Sequence, residues 1–238
     1  MLLFKRKNNK LELRCYPLNP HLIDYFPIEH SKKLQPKWFK EMPPYKEVGA
    51  PTRMPTTKMC PGLQHLFTAG ITIPLWYDHV IERLENGSVK GVKCPANTRT
   101  HETHNPEQWT GAFPGWTHLK LLSPWFIVAD RPVPFITIAP TWHQDNPGEY
   151  IIAPGMLEFK YQHGSHVQMF LPPVTNNQAS EIKIEAGTPM LHLIPTEDVE
   201  IEIKIEEMNE HIYKKHVERF NWTFENLYRR SRSVLEKK

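Results

Sequence analysis

The sequence predicts a mainly β protein: an antiparallel sandwich or jelly-roll-like barrel, of the double-stranded β-helix or β-clip type, with an extended N-terminal arm and a C-terminal α-helix. Three observations carry that expectation. First, Ile182 and Ile184 alternate with Lys183 and Glu185, and Val199, Ile201, Ile203 and Ile205 alternate with Glu200, Glu202 and Lys204. A period of two over that length marks strands with one face on a core and one in water. Second, Asn86-Gly87 sits between residues 79–85 and 88–93, and that dipeptide supplies the two left-handed residues of a type I′ hairpin turn. Third, the chain carries 23 prolines in 238 residues, roughly twice the usual share, which leaves little room for long helices before the C-terminus.

Taken in order, Leu11, Leu13 and Cys15 alternate with Glu12 and Arg14, and Pro17 and Pro20 end a first strand. Prolines and charges then make residues 19–55 an extended arm that wraps the domain. Within it, Pro36 opens and Pro43-Pro44 closes one short helical turn over residues 37–42, with Pro at its start. Trp38 in that turn is expected to pin the arm to the core, with a ligand-stacking platform as the alternative. Ile71, Ile73 and Leu75 form an apolar strand interrupted at Pro74. Residues 95–114 are polar and rich in His, Asn and Thr, a long loop of the kind that carries function. Short strands return at 119–122, 125–129, 135–138, 149–152, 156–161 and 167–171, separated by turn residues. At Ala186-Gly187-Thr188-Pro189 a tight turn leads into Met190, Leu191, His192 and Leu193. Beyond Met208, Ile212, His216, Phe220, Phe224 and Leu227 follow steps of three and four, a helical stripe. The domain plan is one unit: residues 1–60 as strand and arm, 61–205 as β core, 206–238 as helix.

Composition narrows the function classes. With 29 basic and 26 acidic residues, the net charge of +3 is too even to argue for nucleic acid or an anionic membrane. The longest apolar stretch, 119–140, is broken by Lys120, Asp130, Arg131 and prolines, so it does not span a bilayer. Cys15, Cys60 and Cys94 are odd in number and far apart, which suits reduced thiols inside a cell.

Several short patterns share an order with a known family. Pro36-Lys37-Trp38 with Met42-Pro43, Thr57-Lys58-Met59-Cys60-Pro61, and Gly70 to Leu75 with Asp78 make up the first half. His104-Asn105-Pro106-Glu107-Gln108 with Gly111, Ser123 with Trp125, and Gly187-Thr188-Pro189-Met190 with Pro195 make up the second. Together they resemble a bacterial and phage family known only as domain of unknown function 6065. That resemblance implies no activity; with the intracellular setting the cysteines suggest, the expected location is the host cytoplasm, or a virion for a phage-encoded chain. His143 and His192 fall outside its pattern. The Gly187 to Pro195 turn also looks like a late turn of dUTPase-like and dCTP-deaminase-like β folds, whose Arg-Ser-Ser phosphate motif this chain lacks.

Among candidate chemistries the sharpest is His143-Gln144-Asp145 with the distal His192. Two imidazoles and a carboxylate on one face of Fe(II) leave positions open for oxygen and a co-substrate. On a strand, His143 and Asp145 point to the same side, and Lys204 stands where a 2-oxoglutarate-binding base would follow. Against this, 13 histidines make such a spacing easy to meet by chance, and alternation with Leu191 and Leu193 predicts a solvent-facing His192. The expectation is therefore that the three groups do not converge. Trp109 and Trp116, in the polar loop, are candidates to line a groove for a carbohydrate, a peptide or a small molecule. His101 with His104 lacks the helix of a zincin motif, and Cys60 with His65 lacks a second ligand pair.

Two readings follow. The first is a non-catalytic binding or assembly module without cofactor, phage-related, self-associating through the C-terminal helix or the 182–205 sheet. The alternative is an Fe(II)/2-oxoglutarate oxygenase built on His143, Asp145, His192 and Lys204.

Overall fold

The alternating segments do form strands, and the computed structural model of the chain describes residues 9–49, 52–95, 100–109, 111–144, 147–175 and 178–216. The chain opens with β1 (Lys10–Pro17), α1 (Leu22–Tyr25), β2 (Glu29–His30), α2 (Lys37–Glu41), β3 (Tyr45–Glu47) and β4 (Arg53–Pro55). It continues with α3 (Pro61–Thr68), β5 (Ile71–Pro74), β6 (His79–Arg83), β7 (Val89–Lys93), β8 (His101–Thr103), β9 (Thr117–Leu121), β10 (Trp125–Ala129) and β11 (Pro134–Ile138). Last come β12 (Ile151–Ile152), β13 (Gly155–Glu158), β14 (Val167–Leu171), β15 (Ser180–Ile184), β16 (Pro189–Pro195), β17 (Glu200–Ile205) and α4 (Glu210–His216).

These strands pair into a five-stranded sheet in the order β13-β11-β16-β5-β2 and a four-stranded sheet β12-β14-β9-β8. Two three-stranded sheets, β10-β1-β17 and β15-β6-β7, and the β3-β4 ribbon complete the set. Pairing is antiparallel except between β1 and β17, which run parallel from Lys10↔Glu200 to Cys15↔Ile205. No sheet closes on itself among the described residues, so the fold is sandwich-like and open, not a barrel. One apolar cluster fills it, with Leu11, Leu13, Trp76, Trp125, Phe135, Phe159 and Leu193 all essentially inaccessible to solvent. Among the described residues no helix is long and apolar enough to cross a membrane.

The alternating runs behave as expected: Ile182 and Ile184 are buried while Lys183 is exposed, and Ile201, Ile203 and Ile205 pack against the core. The Gly187 turn links two sheets, since β15 pairs with β6 while β16 lies between β5 and β11.

Other expectations need correction. The Asn86-Gly87 turn is not type I′, because Asn86 is not left-handed; Gly87 alone has positive φ, +83°. Leu84 N donates to Ser88 O and Gly87 N to Leu84 O, a three-residue loop with a glycine bulge. Asn86 Oδ1 instead accepts from Ser88 N and Oγ, an Asx turn that favours this loop. Helix α3 was not expected: it begins at Pro61 in its first turn and buries Phe67, and its brevity hides any period. The 95–114 stretch is not all loop, for it contains β8, paired with β9. At the C-terminus α4 starts the expected helix, but Phe220, Phe224 and Leu227 lie outside the described residues.

Candidate functional site

Strand β16 contributes His192 at the centre of the five-stranded sheet, opposite Ile138 on β11 and Thr72 on β5. Thr72 in turn faces Glu29 on β2. Residues directly opposite across a sheet project from the same face, so Ile138, His192, Thr72 and Glu29 form one row on the face away from Leu191 and Leu193. The inner side chains Ile71, Ile73, Leu191 and Leu193 belong to the core cluster.

The arm covers that outer row. Helices α2 and α3 meet through Phe39 and Phe67, ring centres 4.6 Å apart. Lys58 lies over the Phe39 ring at 4.5 Å and donates to the carbonyls of Phe39 and Lys40, tying α2 to the segment before α3. Trp38 packs edge-on to Phe67 and stands 5.7 Å from Trp142, whose carbonyl accepts from Trp38 Nε1 at 3.0 Å. The anchoring role expected of Trp38 is thus its role here, though its exposure of 37% and the 50% of Trp142 leave both rings partly in solvent.

Between cover and sheet lies a half-enclosed cavity of about 80 Å³. Its floor is Thr72, Ile138 and His192; its walls include Ser31, Phe67, Trp142 and His143. A water needs roughly 10–15 Å³ on this measure, so the cleft holds several waters or a small ligand. Ser31 Oγ and Thr72 Oγ1 are 2.8 Å apart and both nearly buried. One hydroxyl donates to the other, which leaves one O–H of the pair for a further acceptor.

His192 was expected to face solvent. It is 6% exposed, because alternation identifies a face but not what covers it. The signal that reports coverage is the absence of charge: Ile71-Thr72-Ile73-Pro74 and Met190-Leu191-His192-Leu193 carry no charged residue on either face, as strands buried on both sides do. The Nε2 of His192 lies 2.7 Å from Ala69 O. A carbonyl only accepts, so Nε2 carries the proton and Nδ1 is the lone-pair nitrogen. Burial lowers the pKa of His192, and the Ala69 bond offsets this only in part.

His143 does not lie on a strand, as the same-side argument for Asp145 required. It ends a 3-10 turn, Thr141–His143, whose backbone is tied through His143 N to Pro140 O. Asp145 lies outside the described residues. Burial first, then His192, then Lys40 push the His143 pKa down to about 4. Of the three groups expected not to converge, His143 and His192 line one cavity. Lys204 is not with them. It lies on β17 and pairs with Glu12 of β1, in a different sheet.

Trp109 and Trp116 sit elsewhere. Trp109 Nε1 donates to His118 Nδ1 at 3.0 Å, and its ring lies edge-on to His118 and Phe170. His118 Nε2 then donates to Gln168 Oε1 at 2.8 Å. Trp116 packs on Phe113, the one described non-glycine residue with positive φ. Trp109 thus fastens its loop to β9 and β14. Among the described residues no group of three or more His, Cys, Asp or Glu is arranged to hold a metal ion, and Cys15, Cys60 and Cys94 are free thiols.

Comparison of the chain with protein-family models, curated proteins and solved structures gives no match.

Proposed function

We propose that this protein is a small-molecule-binding β-sandwich protein whose site is the cleft between the helical arm and the five-stranded sheet. The observation that carries the reading is the row Ile138, His192 and Thr72: three strands present it, the arm covers it, and yet the space above it is not filled by side chains. Apolar walls with a few convergent polar groups are the usual form of a ligand site. Here Ile138, Phe67 and Trp142 supply apolar surface, the Ser31–Thr72 pair a donor, and His192 an acceptor. The ligand is a small, partly apolar molecule with adjacent donor and acceptor groups.

The oxygenase reading asks more of the same place. It needs Lys204 in the cavity, whereas Lys204 is engaged with Glu12 on another sheet. The binding reading needs only the cleft.

A fragment screen monitored by ¹H–¹⁵N spectra, with chelator present, tests it. Hits are expected to shift His192, Trp142 and Thr72 and to bind more weakly to Thr72→Val, which removes a hydroxyl from the floor of the cleft. Hits that leave those signals unmoved, or that bind Thr72→Val as tightly as wild type, contradict it.

A further inference from the structure

Resting on that reading, we infer that the polar end of the cleft is a metal half-site, in which His143 and His192 ligate a divalent d-block cation such as Zn²⁺ or Co²⁺. The ion takes the Nδ1 lone pair of His192 that accepts from the ligand in the metal-free chain, and the small-molecule ligand and water complete its coordination.

The geometry supplies two parts of the argument. Both imidazoles line the same small cavity although one comes from a 3-10 turn and the other from a central strand. The Nε2–H of His192 is spent on the Ala69 carbonyl at 2.7 Å. Metal-binding histidines characteristically donate their second nitrogen in this way, which fixes the tautomer and orients the lone pair.

Chemistry adds a third part. Imidazole is a borderline-soft ligand that suits zinc, copper, nickel, cobalt and iron rather than magnesium or calcium. Metal binding requires a ring nitrogen with its lone pair free, and the Ala69 carbonyl, by taking the Nε2–H of His192, leaves Nδ1 in that form. The cavity is roomy enough for several waters, so it has space beside the two imidazoles for an exogenous donor.

The untagged full chain, stripped with chelator, is titrated with Co²⁺ and followed by visible absorption and calorimetry, then by Zn²⁺ competition. The expected result is one Co²⁺ per chain with ligand-field bands, displaced by Zn²⁺. Loss of an outer-shell partner costs roughly 10–100-fold in affinity, so His143→Ala, which removes a ligand, is expected to weaken binding at least about 100-fold. His65→Ala, on exposed α3, is expected to change nothing. His192→Ala risks misfolding because His192 is buried, so His143→Ala on its surface turn is the deciding variant, with circular dichroism to confirm its fold. No Co²⁺ uptake by the wild-type chain, or equal uptake by His143→Ala, overturns the inference. Fragments that still bind the metal-free chain in that event leave the cleft reading standing without its metal.

Discussion

His192 donates Nε2–H to the carbonyl of Ala69 at 2.7 Å, and this bond joins the central strand of the five-stranded sheet to the residue that ends α3. Ala69 is the C-cap of α3, its own N–H bonded to His65 O. The bond therefore orients the imidazole and ties down the helix that roofs the cleft. Long-range ¹H–¹⁵N correlation is expected to show His192 as the Nε2–H tautomer at pH 7; a Nδ1–H or doubly protonated ring contradicts it.

Next to Ala69, Gly70 allows the roof to turn into β5. It has φ +68°, and a Cβ there would stand 1.9 Å from Leu193 O, a backbone atom that cannot give way. Left-handed backbone costs a non-glycine residue roughly 1–2 kcal/mol before any clash. Gly70→Ala is expected to lose more than about 2 kcal/mol in urea unfolding. Gly91→Ala, with open space around it, is expected to lie within about 0.5 kcal/mol of wild type. Equal midpoints for both contradict this.

The lip of the cleft depends on Trp38. Its ring touches Phe39, Phe67 and Trp142, and its Nε1 holds the Trp142 carbonyl. A buried Trp→Ala costs about 3–5 kcal/mol; with 37% of Trp38 exposed, about 2 kcal/mol is expected. Limited proteolysis is expected to cut first within the arm, because roof and sheet separate before the core opens. Cleavage that begins in the core strands contradicts this.

Acid is expected to destabilise the fold. Burial lowers the pKa of His79, His118 and His166, the last to about 4, with Lys120 adding to the effect and Glu102 opposing it. Between the ordinary histidine value of about 6.5 and pH 4, the unfolded chain binds protons that the folded chain does not, so stability is full above about pH 6.5 and falls as pH drops. His166→Asn keeps an acceptor for Ser123 N–H and removes one of these rings. Its urea midpoint is expected to fall less steeply than the wild-type midpoint between pH 7 and 4.5; identical slopes contradict this.

Lys204→Ala tests the discarded arm of the oxygenase reading. The Lys204–Glu12 pair is open to solvent, and exposed ion pairs contribute little to stability. Stability and cleft binding are both expected to stay near wild type. A loss of fragment affinity of about tenfold or more contradicts the placement of Lys204 away from the site.

The sheet was legible wherever water wets one face, as at Lys183, Glu200 and Glu202, because a period of two then separates apolar from charged positions. It was least legible where the arm removes water from the second face. Thr72 and His192 lie on that face, and a lone polar residue in an apolar run does not reveal whether its neighbour is solvent or another element. Helix α3 leaves no period in the sequence because it makes about two turns and buries only Phe67 fully. That His143 and His192 line one cavity is non-local, since one comes from the 3-10 turn after β11 and the other from β16, and no spacing in the chain encodes it.

The most direct test of the cleft is a crystal structure of the chain with its tightest fragment. Density for the fragment is expected beneath Trp142, against Ile138, with polar atoms at His192 Nδ1 and the Ser31–Thr72 hydroxyls. A fragment bound elsewhere, such as against Trp109 and Phe113, with the cleft closed by side chains, contradicts the central claim.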